Sequence, residues 1–389
     1  MLVLLFHATG GLIYPGGFLG VDLFFVISGF LITDMFLRMD SPTGWPRAAQ
    51  LLAHRCHTLL PLSTLVLLLT AITTVLLYPS SRWTDHGVRI ITSAVFVLNW
   101  QFVSQPPDLL PDLMATTDIL PYPLLHYWAL SVDMQFLLLW AVIFTVVTYF
   151  ARPQSTRTRG RSRFRIHPNL VQRNTSWAAV IVTLASFTWA VVSGFSEVAS
   201  TQEQAFFNTS TRLWEFGLGA VIAAFRTRLS QIPRIAVQLA SGGGLLGILI
   251  ASFCYDPAQF HPGYTALLPV DAAAAMIIGM LSHPDTGINM MFNNDIVQWL
   301  GRLTFPLYLW HWPILVIGGY LLDMPALAKG VILALLSLIA AWLSYRLVAN
   351  PVAKWSPIRY STTNTLSMGL LLSLVCFLFG ILLLNIARF

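Results

Sequence analysis

A small set of ionisable side chains sits inside runs of apolar sequence, and their types are those of acid–base chemistry. Asp22 interrupts GGFLGVDLFFVISGFLIT (16–33), with Ser28 further along the same run and His7 in LLFH just before it. His126 and Asp133 are seven residues apart in LLHYWALSVDMQF; two helical turns put both on one face, about 10.5 Å apart along the axis. His311 lies in LTFPLYLWHWPILV between Trp310 and Trp312, Arg212 and Glu215 share TRLWEF, and Asp271 interrupts LLPVDAAAAM. A carboxylate in hydrocarbon costs at least a few kcal/mol, so such residues mark function by default. An imidazole can act as a base near neutral pH, and a carboxylate can hold its tautomer.

Each residue also has a plainer reading. His7 can be a neutral imidazole bonded to a backbone carbonyl, and Asp22 can cap its helix or complement the helix dipole. Arg212 and Glu215 can form an interfacial ion pair, and Asp133 can orient a neighbour. The tryptophans beside His311 serve packing as well as they serve a substrate platform. Three histidines suggest metal ligation, but no HxxxH or HxxE spacing is present, so no metal site is expected.

The elements that must position these groups are membrane helices. Of 389 residues, 56% are hydrophobic and 10% charged, with a mean hydropathy of +0.70. A soluble domain carries roughly 25% charged residues and cannot hide this much apolar surface. Long unbroken apolar runs argue for helices over barrel strands, so the expected class is an all-α polytopic membrane protein. The net charge of +6 does not point to nucleic acid, because the basic residues concentrate in short loops. Cys56, Cys254 and Cys376 are scattered and imply neither a disulfide framework nor a metal site. No cleavable signal peptide is evident, since MLVLLFHATGG has no basic start.

Spanning-length runs lie near 17–38, 58–78, 126–150, 177–195, 235–254, 264–282, 302–322, 328–349 and 365–386, with shorter candidates at 1–14, 88–103 and 212–226. The segment 152–173 holds seven arginines and no acid, which places it in the cytoplasm. Alternation from there works if 88–103 is interfacial or re-entrant. The result is eleven spans, N-terminus inside and C-terminus outside, with 17 of the 22 lysines and arginines on the inner side. The first span is short: 14 residues precede the turn at Tyr14-Pro15-Gly16-Gly17, about 21 Å of helix against a core of about 30 Å. Either the chain starts further upstream or this helix begins inside the membrane.

Four segments resemble the acyltransferase 3 family of bacterial membrane O-acyltransferases. GGFLGVDLFFVISGFLIT (16–33) is similar to its most characteristic signature, and LLHYWALSVDMQFLLLW (124–140) resembles LHTWSLSVEEQFYLLW. STRLWEFGLGAVIA (210–223) resembles TRxWELLLGAxLA, and GRLTFPLYLWHWPILV (301–316) resembles GRISYSLYLWHWPxLV. Their order and spacing fit, and the likeness covers essentially the whole chain. It implies transfer of an acyl group, acetyl in the first instance, from cytoplasmic acyl-CoA to a hydroxyl of an envelope glycan, glycolipid or exported small molecule at the bacterial inner membrane. It also implies a ten-span acyltransferase body (1–349), a cytoplasmic linker (350–364) and an additional helix (365–389). Relatives with that eleventh span usually continue into an extracytoplasmic SGNH domain. This sequence ends at Ala387-Arg388-Phe389, so such a domain would be missing here or be a separate protein.

By the resemblance, His7 matches the family's essential histidine. Its companion arginine lies about ten residues upstream, and six residues precede His7 here. Further departures are Asp133 for Glu, Ala129 for Ser, His57 for Arg, Ala349 for Glu, and Asp271 for Gly or an apolar residue. The expected catalytic set is His7, Asp22, Asp133, His126 and His311, with His7 as base and Asp133 or Asp22 holding its tautomer. Ser28, Tyr308, Trp312, Arg212 and Glu215 are expected to contact substrate, and Arg55 and Arg302 to hold the phosphates of CoA. Two rivals are a transporter or flippase and a non-catalytic membrane subunit. No paired, broken helices in corresponding halves support the first, although LASGGGLLG (239–247) looks locally broken. A missing companion arginine would favour the second.

Overall fold

The computed structural model describes residues 1–39, 45–104, 122–151, 168–195, 204–256 and 262–386, and among these there is no strand. Thirteen principal helices carry the fold: α1 (Leu2–Ala8), α2 (Gly20–Arg38), α3 (Trp45–Leu77), α4 (Trp83–Ala94), α5 (Leu98–Val103), α6 (Tyr127–Phe150) and α7 (Pro168–Gly194), followed by α8 (Thr209–Ala224), α9 (Arg234–Cys254), α10 (Leu267–Ser282), α11 (Asp295–Leu321), α12 (Ala326–Ser344) and α13 (Thr362–Ile386). Eight of them are long and apolar enough to cross a bilayer: α2, α3, α6, α7, α9, α10, α12 and α13. The protein is an all-α polytopic membrane protein. The other three expected spans correspond to α1 and α8, which are 7 and 16 residues long, and to α11, whose 27 residues include Arg302, His311 and several Trp, Tyr and Pro residues.

Several boundaries differ from the sequence-based expectation. The first helix stops at Ala8 because Gly10 and Gly11 take φ of +59° and +76°, a left-handed conformation that glycine adopts without steric cost. Helix α3 begins thirteen residues before the expected span and carries Arg47 and Arg55 on its first turns. The 88–103 segment divides into α4 and α5 around Phe96, whose φ is +57°, and neither piece is long enough to span. Helix α9 runs unbroken through the glycines of 239–247. Asp271 lies exposed on α10 and joins no cluster described below. The arginine-rich 152–167 stretch lies outside the described residues.

Two helix crossings rely on missing side chains. A Cβ on Gly29 of α2 would come within 2.0 Å of the Phe216 carbonyl oxygen on α8, and one on Gly219 would come as close to the Val26 carbonyl. Reciprocal glycines of this kind let membrane helices approach backbone to backbone. The second crossing joins α13 to α4, where a Cβ on Gly380 would sit 2.9 Å from the Gly87 carbonyl. Helix α13 also packs on α3, with buried Cys376 facing the Thr64 carbonyl. The core between α2, α3, α6 and α8 is aromatic: Phe36 stacks on Phe144, and Phe25 and Phe136 stack on Phe216.

Candidate active site

Three polar clusters are built on this frame. The first gathers histidines from three helices. His7 near the end of α1 has its ring centroid 5.7 Å from that of His311 on α11 and 4.6 Å from Trp312. His126, at the start of α6, lies 5.6 Å from His311. The Tyr308 hydroxyl donates to the His126 carbonyl at 2.5 Å, and the Tyr308 carbonyl lies 2.6 Å from His311 Nδ1. A carbonyl only accepts, so Nδ1 carries the proton and Nε2 keeps the lone pair. Nε2 of His311 has no hydrogen-bond partner among the described residues. Trp312 is pinned by its indole N–H donating to the Tyr122 carbonyl at 2.7 Å.

The second cluster couples α2, α6 and α3. Ser28 donates to Asp133 Oδ1, and Arg55 Nη2 lies 3.4 Å from the same Ser28 oxygen. Asp133 is fully buried and its Oδ2 has no hydrogen-bond partner among the described residues. Arg55 faces the other way into a cavity of about 510 Å³, which Arg302, His54, His57, Asp34 and Tyr345 also line. Phosphates and a flexible apolar arm fit this lining, because guanidinium and imidazole groups sit beside leucines, Phe305 and Pro306. Tyr345 belongs to a π-helical turn, Tyr345–Ala349, that continues α12; such turns are frequent at functional sites.

The third cluster is an ion triad at the α2–α8 crossing. Arg212 Nη1 donates to Asp22 Oδ1 at 2.7 Å and to Glu215 Oε1 at 2.9 Å, and its Nε donates to the Phe206 carbonyl at 3.0 Å. All three side chains are at most 2% exposed. The guanidinium also lies 4.7 Å from the centroid of the Phe206 ring.

The expected site residues thus separate. His7, His126, His311, Tyr308 and Trp312 converge; Ser28 and Asp133 meet Arg55; Arg55 and Arg302 share one cavity. Asp22, Arg212 and Glu215 form their own unit, buried inside the protein. Asp22 is engaged by Arg212 and Asp133 by Ser28, so neither carboxylate holds the His7 imidazole as expected, and the imidazole that is held, His311, is held by a backbone carbonyl. The reason is reach: the glycine crossing presses Asp22 onto α8, and Asp133 lies two turns along α6 from His126.

Sequence reasoning passed over Asp34 and Tyr345, near the ends of α2 and α12 where polar residues are ordinary, and His54, which lies on α3 but ahead of the expected 58–78 span. It also passed over Gln135, whose amide donates to the Phe96 carbonyl and to Asn99 Oδ1, both at 2.8 Å, while its Oε1 accepts from Trp100 at 2.9 Å. Its place in SVDMQF was the one available signal. His86 and Arg89 on α4 were likewise missed: Arg89 lies 3.5 Å from the centroid of the Tyr122 ring, and His86 packs edge-on against Tyr78.

A family model described as "Acyltransferase domain" matches residues 1–346. The chain belongs to the acyltransferase 3 family. Curated relatives include the "Peptidoglycan O-acetyltransferase OatA" of Listeria monocytogenes, 24% identical over 89% of this chain and 53% of its own length. The "Putative peptidoglycan O-acetyltransferase YrhL" of Bacillus subtilis is 26% identical over 87% of this chain and 50% of its own. A Staphylococcus aureus (strain COL) protein named as a "Putative O-acetyltransferase" is 26% identical over 92% and 59%. The chain spans about half the length of the curated relatives it matches. No solved structure matches it. The three histidines of this acyltransferase 3 member lie inside the matched region, and so does the lining of the Arg55 cavity apart from Ala349, Asn350 and Ala353, just beyond it.

Proposed function

We propose that the protein is a membrane O-acyltransferase that moves an acyl group from cytoplasmic acyl-CoA to a hydroxyl of an extracytoplasmic envelope glycan. The relatives' names point to acetyl as the group and to peptidoglycan as the acceptor. The working orientation, from the arginine distribution, is N-terminus inside and C-terminus outside a bacterial cytoplasmic membrane. An SGNH-type domain or protein is a candidate partner on the outer side.

The observation that carries this reading is the placement of the histidine cluster beside the arginine-lined cavity. A groove of about 380 Å³ has His311 and Tyr308 in its wall and shares Phe305 with the Arg55 cavity. The thioester supplies an activated acyl carbon when the donor is bound. Arg55 and Arg302 hold phosphates at the cavity mouth. His7 removes the proton from the acceptor hydroxyl, and His311, with its lone pair on Nε2, shares that proton with it. The hydroxyl oxygen bonds to the acyl carbon as the carbon–sulfur bond breaks, and the proton ends on the sulfur. The Tyr308 and Ser28 hydroxyls, which here donate to the His126 carbonyl and to Asp133, would turn from those acceptors toward the charge that develops on the carbonyl oxygen.

The test is purified protein in lipid vesicles given radiolabelled acetyl-CoA and peptidoglycan fragments. Label in the glycan with matching release of free CoA is expected. Retention of all label in the thioester would refute the reading.

A further inference from the structure

We propose that Phe305 sets the length of acyl group that reaches His311, and that the groove beyond it takes the acyl chain of the donor. This inference rests on the acyl-CoA reading above and makes it specific. Phe305 is half-buried on α11, one turn before Tyr308 and two before His311. It is a wall of both spaces: the cavity that carries Arg55 and Arg302, and the groove that carries His311 and Tyr308.

The groove's chemistry names its occupant. Apart from His311, Tyr308, Thr304 and the amino end of Met1, its wall is aliphatic and aromatic, with Val21, Phe24, Leu130 and Leu307 among its residues. A glycan hydroxyl cluster would find few partners there, whereas an acyl chain would be desolvated at each methylene. Something inside the path must decide how much of this apolar wall a chain reaches. Phe305 stands at the shared wall, and Pro306, buried beside it, removes a backbone donor and loosens the helix at that step. With the phenyl ring in place, a two-carbon group passes to His311 and longer chains meet the ring. Without it, the two spaces join and a longer chain lies along the groove.

The measurement is the ratio of kcat/KM for hexanoyl-CoA to that for acetyl-CoA, followed as free CoA released in the presence of peptidoglycan fragments. Burial of a methylene is worth about fourfold in such a ratio, so Phe305→Ala is expected to raise it at least tenfold. Phe305→Trp is expected to lower it. Val21→Phe, which fills the groove from α2, should reverse the gain when combined with Phe305→Ala. A purely structural role for Phe305 would reduce both donors together and leave the ratio alone. A ratio unmoved in folded Phe305→Ala and Phe305→Trp overturns the proposal and leaves the groove to a membrane lipid tail. Should Phe305→Ala fail to fold, Phe305→Leu read against Phe305→Trp decides by the same ratio. Wild-type protein that consumes no acyl-CoA of either length would overturn the acyl-CoA reading itself, and this inference with it.

Discussion

The imidazoles of His7 and His311 come from opposite ends of the chain and lie with ring centroids 5.7 Å apart. His311 is held by the Tyr308 carbonyl in the tautomer that leaves Nε2 as acceptor, whereas among the described residues no hydrogen bond fixes the His7 ring. One imidazole is oriented and the other is free to meet an acceptor.

Two residues that move one proton act as a unit, and their losses do not add. His7→Ala and His311→Ala are each expected to lower kcat by about 100-fold or more, and the double variant should be little worse than either. Affinity for free CoA should hold within about twofold, because neither histidine lines the Arg55 cavity. Stopped-flow turnover with equilibrium CoA binding checks both parts. Additive losses would separate the two imidazoles into independent roles.

Arg55 has two partners to choose between, Ser28 at 3.4 Å and whatever anion enters the cavity. Arg55→Ala is expected to weaken CoA binding about tenfold or more, at the scale of a charge-assisted contact. It should also lower the salt dependence of binding. Arg302 is more exposed, so solvent screening makes Arg302→Ala the milder change. Isothermal titration with CoA and with dephospho-CoA at two salt concentrations measures this. Unchanged affinity in both variants would move the donor site elsewhere.

Much of this was legible before any coordinates, and the unread part has physical causes. Long apolar runs declared α2, α3, α6, α7 and the later helices, because spanning length and hydropathy are local properties. The histidines declared themselves because an imidazole among leucines is out of place. Partner choice was not legible: nothing in the spacing of Asp22 says that its carboxylate meets Arg212 across α2 and α8, since that depends on how closely Gly29 and Gly219 let the helices approach. Helix α1 was overdrawn for a local reason, the Gly10-Gly11 pair, whose left-handed conformation hydropathy does not register. Asp34 and Tyr345 were passed over because a polar residue near a helix end carries no surprise, and His54 because the polar start of α3 reads as loop.

The Asp22–Arg212–Glu215 triad should behave as architecture. Removing one member of a buried ionic network strands the remaining charge and costs about 3–5 kcal/mol. Arg212→Met is expected to lose that much stability, read as a fall in thermal midpoint in detergent. Asp22→Asn keeps an acceptor oxygen for Arg212 and should cost less, with turnover per folded molecule near that of the wild type. A loss in folded Asp22→Asn as deep as that of His7→Ala would place this carboxyl in the chemistry instead.

His86 supplies a pH signature distinct from catalysis. It sits on α4, which is not one of the spanning helices, and burial pushes its imidazole down to about 3, with Arg89 and Arg82 adding to the effect. An unfolded histidine titrates near 6.5. Between about 3 and 6.5 the unfolded chain therefore binds the proton and the folded chain does not, so stability rises with pH across that window and is lost on acidification. The slope expected from this one group is about 1.4 kcal/mol per pH unit. His86→Phe keeps the aromatic contact with Tyr78 and removes the titration. Unfolding followed from pH 7 to pH 4 should be less acid-sensitive in that variant than in the wild type, with equal stability dependence above pH 7. Identical acid sensitivity in both proteins would mean that the imidazole is already protonated in the folded state, with the Arg89 side of α4 open enough to solvate it.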